Sequence, residues 1–194
     1  MEFVALSTQE CNAIADQDPW LKKVFEGTVP CDGLPRRPKN KACYIVNTDP
    51  TGQPGQHWLA LWTENNVCEV MDSYGLPLEW YKTTRPLIDW IITHWKHWVT
   101  NGTSLQGLHS YACGHYCLAY LKLKARGGSL QDFLALFSDH DYVQNDQKVA
   151  SMLEPVKVPR YTCITQSCEP REKVIKSVGW QLYVSFVLEK LRFS

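Results

Sequence analysis

Hydrophobic residues cluster along the chain in a way that predicts three buried strands near the middle of the sequence. Residues 42–48 are β-branched and aromatic, and residues 57–63 and 67–72 have the same character. Only residues 64–66 (Glu-Asn-Asn) separate the second and third segments, which is short enough for a β-hairpin. Three prolines and Gly33 within residues 30–38, with Gly27 just before them, predict a loop before the first strand.

Helical periodicity dominates the rest of the chain. Ser7 or Thr8 followed by Glu10 is typical of a helix cap and predicts a short helix to about Ala15. Apolar residues near helical spacing predict an amphipathic helix over residues 86–98. Three later helices are predicted at residues 113–125, stopped by Gly127 and Gly128, from Ser129 through Phe137, and from Asp141 to about Leu153.

This order of elements predicts an α+β domain over residues 1–154. Its small, mostly antiparallel sheet should pack against the helix that starts at Cys113. Beyond Pro155 the signals weaken, and residues 161–163 and 180–187 could be a strand and a helix or an appendage. Residues 155–194 are therefore predicted to form a C-terminal extension of open role.

Composition and charge narrow the functional class. The 194 residues are 44% hydrophobic and 21% charged, which fits one globular domain. The formal net charge is zero, which argues against a nucleic-acid binder that works through bulk positive charge. Eight scattered cysteines, no signal peptide in residues 1–5 and no apolar run of about 18 residues predict an intracellular, reducing setting without membrane association.

Cys113 is the strongest candidate for chemistry. A thiol at a helix N-terminus lies near unsatisfied amides whose partial positive charge stabilises the thiolate. Gly114 places no side chain beside it, so a substrate carbonyl could approach and the backbone amides stay accessible. The alternative is that Cys113 is a small buried hydrophobic residue, as free cysteines often are.

The predicted hairpin links a histidine to a carboxylate. If Thr63 faces Asn66, the antiparallel register places His57 directly opposite Asp72. A neutral imidazole could then accept the thiol proton, and the carboxylate could orient the ring. The alternative is an exposed histidine at a strand end and an aspartate that forms a turn.

Gln106 precedes Cys113 by seven residues and could supply an amide donor. With the backbone N–H of Cys113, its side chain would form a two-donor oxyanion hole. The alternative is a surface glutamine in a loop.

The order of these residues resembles a known family. His-Trp, Asp, Gln and Cys-Gly occur in this order in adenovirus-type cysteine endopeptidases, which share a fold with the proteases of ubiquitin-like modifiers. Within that group, the sequence segments around these residues are most similar to proteases of Maverick/Polinton elements and adintoviruses. The matching segments, within about residues 5–150, are HWLAL at 57–61, MDSYGLP at 71–77, and LQ at 105–106 through CGHYC at 113–117.

The resemblance implies a papain-like, adenain-like fold and a role for each matching residue. Cys113 would be the nucleophile, His57 the general base, Asp72 the orienting acid and Gln106 the oxyanion donor. Trp58 would support the histidine and, with Gly114, line the substrate site. No cofactor and no metal are implied. The family cleaves polypeptides during virion maturation, often after small residues such as Gly-Gly.

The resemblance also sets expectations for partners. The substrate would be a polypeptide, namely a viral capsid or core precursor, and the enzyme would act in the virion and in the host nucleus or cytoplasm. Adenoviral enzymes use glutamate where this chain has Asp72, as the modifier proteases do. They also draw on DNA and a viral peptide as activators; zero net charge argues against DNA here, and nothing in the sequence identifies an activating peptide.

Other readings of the same residues are weaker. Cys113, His115 and Cys117 could bind a metal with Cys163 and Cys168, but position 115 faces another side of the helix. His94, Trp95, His97 and Trp98 could stack on bases, yet no basic cluster surrounds them. Asp141 suits a helix cap better than a dyad with His140. An isopeptidase for ubiquitin-like modifiers and a catalytically inactive binding relic remain open.

Overall fold

A computed structural model describes residues 4–153, and the predicted extension at 155–194 lies outside that range. The helices and strands are α1 (Thr8–Gln17), β1 (Phe25–Pro30), β2 (Ala42–Asn47), β3 (Trp58–Glu64), β4 (Val67–Met71), α2 (Arg85–His94), β5 (His97–Thr100), α3 (Cys113–Ala125), α4 (Leu130–Leu134) and α5 (Tyr142–Leu153). Two single turns of 3₁₀-helix, Leu21–Lys23 and Leu78–Trp80, complete them. None of the helices described is both long and apolar enough to cross a membrane.

The strands form one five-stranded sheet in the order β1-β2-β3-β4-β5. The three central strands are antiparallel, as the sequence predicts, while β1 joins β2 and β5 joins β4 in parallel. The α+β class is confirmed. Neither edge strand is predicted from the sequence: β1 ends at Pro30, where the predicted loop begins, and the first two residues of β5 belong to the predicted helix over residues 86–98. That helix ends at His94, because the backbone turns extended at Trp95 and residues 97–100 pair with β4.

The hairpin between β3 and β4 has a different register from the predicted one. Glu64 pairs with Val67, and the two-residue turn between them consists of Asn65 and Asn66, with φ of 54° and 62°. A turn of this kind needs two residues in the left-handed region, where asparagine is tolerated and glutamate is not. The predicted pairing of Thr63 with Asn66 is therefore wrong, because it would place Glu64 in the turn.

The helix starts follow the predicted signals closely. Ser7 caps α1 in a full capping box with Glu10, and Ser129 caps α4 in the same way with Asp132. The Asp141 carboxylate accepts the backbone N–H of Gln144 at 2.9 Å in the first turn of α5. α3 has the predicted bounds, whereas α4 ends three residues before the predicted Phe137.

Apolar side chains pack on both faces of the sheet. One cluster joins β2 and β3 to α1, α3, α4 and α5 through residues such as Ile45, Trp62 and Tyr116. The other contains Tyr44, Leu61 and α2. α3 is buried along most of its length between the sheet and the other helices. Its N-terminus, and with it Cys113, is thereby fixed relative to the strands.

Gly75 in the loop after β4 gives a stability prediction. Its φ is +64°, and a Cβ there would lie 2.5 Å from the backbone carbonyl carbon of Thr103. We expect Gly75→Ala to lower the free energy of unfolding by about 2–4 kcal/mol, because the strain of a left-handed alanine and the clash with the Thr103 backbone both destabilise the folded state. Gly52→Ala is the control: its φ is +86° with no atom within 4 Å, so only strain of about 1–2 kcal/mol remains. Equal losses in urea unfolding would contradict the prediction.

Candidate active site

His57 and Asp72 meet at one end of the hairpin, just before β3 and just after β4. The imidazole Nε2 lies 2.7 Å from the carboxylate Oδ1. Both residues are almost fully buried, at 3% and 1% exposure, so water does not weaken the contact. The shifted register means that the two residues are not paired through the backbone; their side chains close the distance instead.

Four donors converge on the Asp72 carboxylate. Besides His57, these are the hydroxyl of Tyr81 at 2.7 Å and the backbone N–H groups of Tyr74 and Leu76 at 2.9 and 3.1 Å. Burial raises the pKa of Asp72, but the charge and hydrogen bond of His57, with the other donors, outweigh it and hold the pKa below its ordinary value. Asp72 is therefore a carboxylate, and Nε2–H of the histidine donates to it.

Three residues that sequence reasoning missed hold this pair in place. Asn101 fixes the backbone of Asp72: its Oδ1 accepts the N–H at 2.7 Å and its Nδ2 donates to the carbonyl at 2.6 Å. The rings of Tyr74 and Tyr81 stack on the imidazole, with centroids 4.5 and 5.6 Å away. Tyr74 follows the aspartate in the segment that carries the resemblance, whereas no signal in the sequence marks Tyr81 or Asn101.

The environment of His57 favours the imidazolium form. Burial lowers its pKa, but the negative charge and hydrogen bond of Asp72, with a smaller contribution from Cys113, raise the pKa to about 9. Nδ1 is enclosed by protein, and no nitrogen or oxygen atom of residues 4–153 makes a hydrogen bond to it. Cys113 contributes to the raised pKa through a side-chain hydrogen bond to the ring and, as a thiolate, through its negative charge. Because Asp72 occupies Nε2, Nδ1 is left for the thiol.

Cys113 is the first residue of α3 and is 1% exposed. The N-cap residue, Ala112, offers no side-chain hydrogen bond, so the amides of the first turn keep their partial positive charge for other groups. That charge and the imidazolium of His57 both favour a negative sulfur at Cys113. The arrangement can therefore hold a thiolate–imidazolium pair, the form in which cysteine acts as a nucleophile.

The remaining described cysteines are also buried. Burial raises the pKa of each of them, namely Cys11, Cys31, Cys43, Cys68 and Cys117. Cys117 packs in the core one turn beyond Cys113. No three His, Cys, Asp or Glu side chains within residues 4–153 are grouped to hold a metal ion. Cys163 and Cys168 lie outside the described residues.

Gln106 is buried rather than on the surface, at 1% exposure. Its Oε1 accepts the Ser73 hydroxyl at 2.7 Å, and its Nε2 donates to the carbonyl of Ser110 at 2.8 Å. These two bonds fix the orientation of the amide. Since an amide nitrogen carries two hydrogens, the bond to Ser110 uses only one N–H of Gln106. The loop is held further by the backbone N–H of Gln106, which donates to the Ser73 carbonyl at 3.0 Å.

Trp58 and Gly114 pack against the N-terminal segment beside the nucleophile. The indole N–H of Trp58 donates to the carbonyl of Leu6 at 2.9 Å. A Cβ at Gly114 would lie 3.2 Å from the Cβ of Leu6 and 3.4 Å from Cδ1 of Trp58. The glycine thus permits close packing of three elements next to Cys113, a constraint that the sequence alone does not reveal.

Comparisons with known proteins add little to this geometry. No protein-family model matches the chain, and no curated protein matches it. Among solved structures, it is similar to the crystal structure of the ASFV pS273R protease, with 20% sequence identity and a TM-score of 0.37. The match covers 60% of this chain and 45% of that one, so it spans less than half of the solved protein.

Proposed function

We propose that the chain is a cysteine endopeptidase with Cys113 as nucleophile, His57 as acid–base, Asp72 as orienting carboxylate and Gln106 as oxyanion donor. The observation that carries the proposal is the buried 2.7 Å contact between His57 and Asp72, with the thiol of Cys113 acting on the same imidazole. Separately, each residue has an ordinary structural role. Together they supply the nucleophile, proton carrier and orienting group of nucleophilic catalysis.

The reaction balances in two steps. The Cys113 sulfur attacks the scissile carbonyl carbon, and the negative charge moves to the carbonyl oxygen, where the amide of Gln106 and the N–H of Cys113 stabilise it. The intermediate collapses, the C–N bond breaks, and His57 gives its proton to the leaving amine. Water then attacks the thioester while His57 accepts a proton, which releases the acid and restores the sulfur.

The resemblance at 57–61, 71–77 and 105–117 suggests the substrate class. We infer that the substrates are structural polyproteins of a virus or mobile element, cleaved after small residues during virion maturation. The neutral chain favours activation without DNA. The sites of action would then be the virion and the host nucleus or cytoplasm.

One observation favours a second candidate. The acid is an aspartate, as in proteases that remove ubiquitin-like modifiers, and those proteases cleave after Gly-Gly. We therefore keep an isopeptidase as the alternative. An inactive protein that only binds a capsid or host partner is disfavoured, since all four positions carry residues competent for catalysis.

A comparison of substrates tests the proposal. The purified chain is incubated with peptides that carry an internal Gly-Gly, and separately with isopeptide-linked modifier conjugates, and the products are identified by mass spectrometry. The same protein blocked with iodoacetamide is the control. An endopeptidase cleaves the internal peptides only when unblocked. Cleavage of conjugates alone would identify the isopeptidase, and cleavage of neither would contradict both peptidase assignments.

A further inference from the structure

The loop that carries Gln106 is tied to α5 by buried polar side chains. The Nδ2 of Asn145 donates to the carbonyl oxygen of Leu105 at 3.0 Å. The hydroxyl of Tyr116, in α3, lies 3.0 Å from the same oxygen. Leu105 immediately precedes Gln106, so these contacts fix the backbone next to the proposed oxyanion donor.

Asp146, the next residue of α5, reaches both ends of this loop. Its Oδ1 lies 2.9 Å from the hydroxyl of Tyr116, and its carboxyl group forms a hydrogen bond with the side chain of Ser110. The carbonyl of Ser110 is the acceptor for the amide of Gln106, and its hydroxyl accepts the N–H of Ala112 at 3.2 Å. One buried carboxyl group is therefore connected to the segments on both sides of the oxyanion hole.

Two hydroxyl groups converge on the Asp146 carboxyl group. Tyr116 lies within hydrogen-bond distance of both this group and the Leu105 carbonyl, and Ser110 contacts the carboxyl group from the other end of the loop. Burial raises the pKa of Asp146 and outweighs the hydrogen bonds of Ser110 and Tyr116, which lower it.

We propose that Asp146 is a positioning residue whose buried carboxyl group fixes the loop 105–112 through Tyr116 and Ser110, and thereby aims the oxyanion donors Gln106 and Cys113 N–H. The inference rests on the proposed peptidase function and assigns to α5 a part in it. Asp146 does not touch the reacting atoms; its effect passes through the loop. Replacing it should therefore weaken stabilisation of the oxyanion and leave the thiol–imidazole pair intact.

Two reactions of Cys113 separate these effects. Peptide hydrolysis develops an oxyanion, whereas alkylation by iodoacetamide displaces iodide at carbon and develops none. We expect Asp146→Ala to lower kcat for a cleaved peptide by about tenfold to a hundredfold, somewhat less than the loss of a whole oxyanion donor. KM and the rate of Cys113 alkylation, followed by mass spectrometry, should stay within about threefold of the wild type.

Matched variants exclude a merely structural effect. Asp146→Asn keeps one donor and one acceptor, and should restore kcat to within about fivefold of the wild type. Val149→Ala removes a fully buried side chain from the same helix without touching the loop, and should lower the melting temperature but not kcat. Tyr116→Phe keeps the buried ring and should show the same selective fall, so the test does not depend on whether Asp146→Ala folds.

Several outcomes would overturn the inference. They are wild-type kcat in Asp146→Ala or Tyr116→Phe, a parallel loss of alkylation, an equal fall of kcat in Val149→Ala, or no rescue by Asp146→Asn. Failure of the proposed function is distinguishable, because the wild type itself would then hydrolyse no peptide, and both proposals would fall together.

Discussion

Cys113→Ala should abolish both peptide hydrolysis and covalent labelling, with a fall in kcat on the order of 10⁴- to 10⁶-fold. The sulfur is the only atom at the N-terminus of α3 that can attack a carbonyl beside the imidazole of His57 in the arrangement described. The methyl group of alanine cannot attack a carbonyl, so the remaining groups have no side-chain nucleophile to activate. The measurement is labelling with a thiol-directed peptide electrophile, read by intact mass, together with hydrolysis of the same peptide.

Cys117→Ala is the matched control for this variant. Cys117 lies one turn further along the same helix, is fully buried, and has its pKa raised by burial. Cys117 has a packing role and takes no part in the proposed reaction. The control variant should therefore label and hydrolyse as the wild type does. Unchanged labelling of Cys113→Ala, or loss of labelling in Cys117→Ala alone, would show that the nucleophile is wrongly assigned.

The features that the sequence predicts well are local ones. The capping box at Ser7 and the start of α3 at Cys113 depend on residues within a few positions of each other, and both lie where the pattern puts them. The central strands follow from runs of apolar residues that are buried on both faces. These elements can therefore be predicted from neighbouring residues alone, without information on contacts between distant parts of the chain.

The features that the sequence misses depend on distant pairing. β5 is exposed on all four residues and is a strand only because β4 lies beside it, so the sequence pattern places its tryptophan in a helix. The hairpin register depends on which residues tolerate left-handed φ, and a shift of the turn by one residue changes whether residues 57 and 72 lie opposite each other. In the observed register they do not, and their side chains are long enough to make the contact.

The same distinction applies to the site. His57, Asp72, Gln106 and Cys113 could be proposed because their order resembles a family, and the structure brings His57 together with Asp72 and with Cys113. The residues that orient them could not be proposed. Asn101 is 29 positions from Asp72 along the chain, and a lone asparagine has no pattern that marks it as a clamp.

Asp72→Asn should lower kcat/KM by about 10³- to 10⁴-fold without unfolding the protein. The amide can occupy the same space, and its single oxygen can still accept from Tyr81 and Leu76, which contact the same carboxylate oxygen, but it has no charge to stabilise an imidazolium. Tyr81→Phe is the control: it removes one donor to the carboxylate and keeps the charge, so a loss of about tenfold or less is expected. Comparable losses in the two variants would contradict a specific role for the charge.

The pH dependence separates the charge from the hydrogen bond. Burial lowers the pKa of His57, and Asp72 is the main group that raises it to about 9. The imidazolium, and the thiolate paired with it, should therefore persist in the wild type until the pH approaches 9. Because the raised pKa lies above the ordinary value of 6.5, the linked stability is complete below pH 6.5 and is lost as the pH rises through 9. In Asp72→Asn burial dominates, so the alkaline limb of kcat/KM should move toward acid and the loss of stability between these pH values should disappear. An alkaline limb at the wild-type position in the variant would show that another group, not Asp72, holds the charge on His57.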